Sequence, residues 1–162
     1  MIRETKDDLL LLFFASLASV VGLASVFAAS RILAWVAIFL TDIYLLVVLL
    51  FAAILSDETP LATSLKWGKH VLPRRTAALF IFALLMLAIV SGFAGLYVGT
   101  GVFQSSKTPL DAFYISFFTL GFNDYSPAPG YGQCVVIAQV VSGIILLMGS
   151  LSLLISRIST FK

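Results

Sequence analysis

The chain has very little of what a soluble domain is built from. Charged residues fill 11% of its 162 positions, against about 25% in soluble proteins, and this excludes a water-facing surface over most of the chain. The single cysteine, Cys134, excludes an intramolecular disulfide and a thiolate metal cluster. Set inside an apolar run, it reads as a small buried hydrophobe. The single histidine, His70, has no second ligand at metal spacing, so a zinc-type site is not expected. Ten Lys and Arg against eight Asp and Glu leave a net charge of +2, too sparse a basic surface for nucleic acid. A Ser/His/Asp arrangement, a carboxylate pair in a cleft and a phosphate-binding loop are missing as well, so neither an enzymatic reaction nor a cofactor is expected.

What is present is apolar. Hydrophobic residues make up 60% of the chain and the mean hydropathy is +1.09. A hydrocarbon core about 30 Å thick takes roughly 20 apolar residues per helical span. Residues 9–29, 32–55, 77–102 and 134–158 are each long enough, and the length leaves room for little beyond four such spans. The first run stays apolar too long for a signal peptide and lacks a cleavage site before the next span, so a retained helix is expected. Basic residues set the orientation. Arg3, Lys6, Lys66, Lys69, Arg74, Arg75, Arg157 and Lys162 fall on one side of a four-span arrangement and only Arg31 and Lys107 on the other, which puts both termini in the cytoplasm of a plasma or inner membrane. Lys66, Lys69, Arg74 and Arg75 share a loop with Trp67, a composition suited to anionic lipid. A solvated loop obeying the positive-inside rule has the same composition.

Residues 103–133 are different: a polar turn, a short apolar piece and then a Gly, Asn, Asp and Pro rich stretch too irregular to span. Such backbone is tolerated at membrane depth only where protein buries it or water reaches it, so a re-entrant loop is expected. Thr108 suits a helix N-cap, Pro109 the first helical position and Asp111 the third. A helix over 109–118 is about 15 Å long at 1.5 Å per residue, half a bilayer. Its C-terminal end, aimed at the membrane interior, carries partial negative charge and favours a cation. After it, Thr119-Leu120-Gly121-Phe122-Asn123-Asp124 could extend with its carbonyls turned toward an axis. One chain cannot close such a ring, so several copies are needed, most economically four.

A span, a capped half-helix, a Thr-x-Gly-Phe-x-Asp stretch followed by Ser126-Pro127 and a final span together resemble the pore module of potassium channels, whose filter reads Thr-x-Gly-Tyr/Phe-Gly-Asp. The resemblance covers about residues 75–162, and the stretch from Leu110 to Phe117 is similar to the start of the pore helix in small prokaryotic channels with two extra helices before the pore module. It implies an all-α integral membrane protein with four transmembrane helices, one re-entrant pore half-helix and a filter loop, assembling as a homotetramer. Residues 1–76 would hold two N-terminal helices and the basic loop, and residues 77–162 the pore module. By the same resemblance, Thr119, Leu120, Gly121 and Phe122 would hold K+ through carbonyls, Thr119 also through its hydroxyl, and Asp124 would steady the filter at the outer mouth. The permeant ion would be potassium, moving passively. Two departures stand out. Asn123 takes the place of the second glycine, a position of positive φ where Asn is among the least costly replacements. The filter also arrives about three residues early, roughly one helical turn. A weakly selective monovalent cation channel is therefore the alternative, and a non-conducting four-helix assembly or accessory protein is the rival outside the channel class.

Three further features lie within the spans. Gly143 stands 20 positions after Asn123, where the family commonly has a gating hinge; a small residue for close helix packing is an equal reading. Ser91, Gly95 and Gly99 form a small-residue stripe that predicts helix packing. Asp42 lies deep in the second span, and an ionisable residue there is a functional hypothesis by default. A hydrogen-bonding role with Tyr44, Thr41 or a neighbouring helix is expected, with a proton- or voltage-sensitive role or a pairing with Arg31 as alternatives. No Arg-rich helix is present to act as a conventional voltage sensor.

Overall fold

The computed structural model describes residues 2–54, 66–67, 70–71, 74–103, 108–120 and 126–158, with side chains over 12–47, 80–103, 108–120 and 126–148. It is helical: α1 (Ile2–Phe27), α2 (Arg31–Ile54), α3 (Arg74–Thr100), α4 (Pro109–Thr119) and α5 (Tyr131–Ile158), with two-residue strands β1 (Lys66–Trp67) and β2 (His70–Val71) paired antiparallel between α2 and α3. The long helices begin before the apolar stretches that predict them, because a backbone ladder does not wait for hydropathy to rise, whereas α1, α2 and α3 end one or two residues before those stretches do. α1 thus begins among Arg3, Lys6, Asp7 and Asp8. Stops are set by backbone conformation. Gly101 at φ +64° follows α3, and Gly130 at φ +78° precedes α5.

α3 is the centre of the bundle. Its residues 88–97 are all buried, with α1, α2 and α4 packed around it. Backbones approach closely where side chains are small. A Cβ added at Gly95 would collide with Ser25 on α1, one at Gly22 with Ser91, and one at Gly92 would lie 2.9 Å from Ile38 on α2. Ser19 Oγ donates to Leu84 O across α1 and α3 at 2.7 Å. The predicted Ser91, Gly95 and Gly99 stripe is therefore a packing seam, as expected of apolar helices that gain little from hydrophobicity and much from contact. Arg31, at the start of α2, donates from Nε to Gly99 O at 2.7 Å. It caps the C-terminal end of α3 and does not pair with Asp42.

Cys134 is exposed, contrary to its reading as a buried hydrophobe. The buried face of α5 runs through Val135, Gln139, Ser142 and Leu146, and Cys134 is off that stripe. Among the described residues, Phe80–Thr100 and Tyr131–Met148 are long and apolar enough to cross a membrane.

Candidate functional site

α4 starts as the sequence requires. Asp111 N donates to Thr108 Oγ1 at 3.2 Å, Thr108 N donates back to Asp111 Oδ2 at 3.2 Å, and Pro109 stands in the first turn, which completes a capping box. The acid lies at the N-terminus and no base occupies the last turn, so the partial negative charge at the C-terminal end is left unneutralised by the helix itself.

The helix runs one residue past Phe118. Thr119 is its last residue and Leu120, the cap, keeps right-handed backbone at φ −62°, ψ −25°. The extended run expected from Thr119 onward therefore does not start at its first two residues. Thr119 turns its hydroxyl back to Ile115 O at 2.7 Å, which holds it in the helix.

Depth follows from what this end touches. Ser116 Oγ donates to Val90 O at 2.8 Å, and Val90 is ten residues below the Thr100 end of α3, or about 15 Å at 1.5 Å per residue. Gln139, whose Nε2 donates to Ser116 O at 2.7 Å and Ser116 Oγ at 3.0 Å, is eight residues below the Tyr131 end of α5, or about 12 Å. Half of a hydrocarbon core is about 15 Å. The end of α4 thus lies alongside two long apolar helices, about 15 and 12 Å along them from their near ends, as expected of a re-entrant half-helix.

A buried polar cluster closes around that end. The Tyr97 hydroxyl donates to Gln139 Oε1. Tyr97, Ser116 and Gln139 are each 0% exposed and Thr119 is buried. The Phe103 ring lies edge-on to Tyr97 with centroids 4.8 Å apart. Leu120 sits over Gly143: a Cβ there would stand 2.7 Å from Leu120 Cδ2. Ala128 N donates to Val102 O at 2.8 Å, tying the segment before α5 to the end of α3.

Of the residues singled out from sequence, Thr119, Leu120 and Gly143 meet at one place. Gly121, Phe122, Asn123 and Asp124 lie outside the described residues. Asp42 is apart from this cluster but reaches the same helix, its Oδ2 accepting from Ser142 Oγ at 2.8 Å. Its other oxygen, like the Tyr44 hydroxyl, is buried and has no hydrogen-bond partner among the described residues. Tyr97, Ser116 and Gln139 were not anticipated. The available signal was Gln139 itself, a polar residue inside the last apolar run.

Residues 76–160, just over half of the chain, match the ion-channel family. Comparison with curated proteins and with solved structures returns no match. The matched residues hold one long apolar helix before the capped α4 and another after it. The chain belongs to the ion-channel family built on the pore module of potassium-type channels; it is an integral membrane protein and not an enzyme.

Proposed function

We propose that four copies of the chain surround an axis and conduct potassium passively, with Thr119, Leu120, Gly121 and Phe122 supplying carbonyl ligands and Asn123 forming the outer rim. Asp124 steadies that rim from behind. The observation that carries this reading is the end of α4: a helix C-terminus at half depth, with no basic residue in its last turn, concentrates partial negative charge where a desolvated cation must pass. The exposed apolar side chains of α4, among them Leu110, Tyr114 and Phe117, also need cover from lipid or from further copies. Four spans are proposed, with α1 and α2 crossing beside the pore module and both termini cytoplasmic. Lys66, Lys69, Arg74 and Arg75 then face anionic lipid headgroups. Gly143 serves α5 as the seat of Leu120, so that bending of α5 at this point moves the base of the filter.

Reconstituted vesicles loaded with potassium and diluted into sodium medium test the proposal. Potassium efflux that charges the vesicle negative inside is expected, and replacing Gly121 by a bulky residue should abolish it while assembly persists. Asn123 favours the weakly selective reading, whose signature is equal permeability to both ions.

A further inference from the structure

Gln139 is the most demanding polar group among the described residues. Its amide is wholly buried on a largely apolar helix, where an unpaired amide would cost several kcal/mol. Its contacts join α3 to the end of α4. Oε1 accepts from Tyr97 on α3, and Nε2 donates to both the carbonyl and the hydroxyl of Ser116. Ser116 in turn donates to Val90 O at 2.8 Å. A leucine would fill the same space, so what the amide adds is a fixed connection between three helices. The connection acts on the last turn of α4: Ser116 is three residues before Thr119, which closes the helix through its own bond to Ile115 O at 2.7 Å.

We propose that Tyr97, Gln139 and Ser116 act as positioning residues for ion discrimination, holding the last turn of α4 at a fixed depth against α3 and α5 and so fixing Thr119. The proposal rests on the channel reading above. Apolar packing alone lets a short helix slide along its neighbours with little change in contact, whereas directed hydrogen bonds in a low-dielectric interior have one geometry. A filter discriminates between ions of similar charge only as well as its ligands keep their spacing and number. The cluster contains no carboxylate or basic group, so its effect is geometric and not a matter of charge.

The test compares potassium-to-sodium permeability ratios, from reversal potentials in planar bilayers, for the wild type, Gln139→Leu, Tyr97→Phe and the double variant, with assembly monitored by size-exclusion chromatography. Gln139→Leu is expected to lower the ratio at least about tenfold, the equivalent of one buried hydrogen-bonded pairing. Tyr97→Phe, which removes a single oxygen and keeps the ring, should lower it about threefold. The double variant should be no worse than Gln139→Leu alone, since both break one chain of bonds. Assembled variants that conduct less but keep the wild-type ratio would overturn the proposal. If Gln139→Leu does not assemble, Tyr97→Phe decides by the same criterion. A wild type that conducts both ions equally overturns the positioning role and leaves the channel standing, whereas a wild type that conducts nothing refutes the channel reading itself.

Discussion

Ser142 and Asp42 form a hydrogen bond between α5 and α2, and the carboxylate has no second partner among the described residues. Ser142→Ala should therefore cost about 1–3 kcal/mol of stability, read as a lower unfolding temperature in detergent. On an Asp42→Leu background the same change should cost little, because the group it leaves unsatisfied is gone. Ala29 is a second residue with a definite expectation. It closes α1 with φ 46°, while Ala29 N and Ser30 N donate to Val26 O and Ser25 O at 3.3 and 3.0 Å, the pattern of a helix end that normally takes glycine. Ala29→Gly should raise stability by about 0.5–1 kcal/mol, the left-handed penalty less the added freedom of the unfolded chain. How far such residues can be read from sequence depends on where their partners lie. Asp42 announces itself as an acid in an apolar span, but Ser142 is 100 positions away and no local pattern names it. Gln139 has the same difficulty with Ser116 and Tyr97. Cys134 shows the opposite failure, since an apolar neighbourhood in sequence gives composition and not the face of the helix.

Elements were more legible than their contacts. The Thr108, Pro109 and Asp111 signal places the start of α4 to the residue, because capping chemistry is local. Its end was read one residue short, because the bond from Thr119 to Ile115 O is a choice a threonine can make or forgo. The small-residue stripe on α3 predicted packing correctly, but its partners on α1 needed the structure. Gly95→Ala should destabilise the bundle by about 2 kcal/mol or more, since the new methyl meets both the side chain and the backbone of Ser25. Adding Ser25→Gly should recover part of that loss, measured in the same thermal unfolding assay. At Gly143 the obstruction is the flexible end of Leu120, so Gly143→Ala should leave assembly intact and reduce flux by displacing Leu120. Loss of assembly without a change in flux per channel would mark Gly143 as packing alone.

For the whole molecule, the proposed tetramer asks each copy for one half-helix, one filter stretch and two spans, and residues 76–160, which match the ion-channel family, are long enough to supply them. The two leading helices are not idle in this arrangement. α1 and α2 wrap α3, and α2 also packs against α5, so both brace the helices that fix the end of α4. This arrangement cannot be read along a single chain, because the proposed ring would be completed by other copies. The most direct test is a density map of the assembled protein in potassium. Four copies around one axis are expected, with a file of density on that axis level with Thr119 to Phe122. Another stoichiometry, or four copies with an empty and occluded axis at that level, would contradict it.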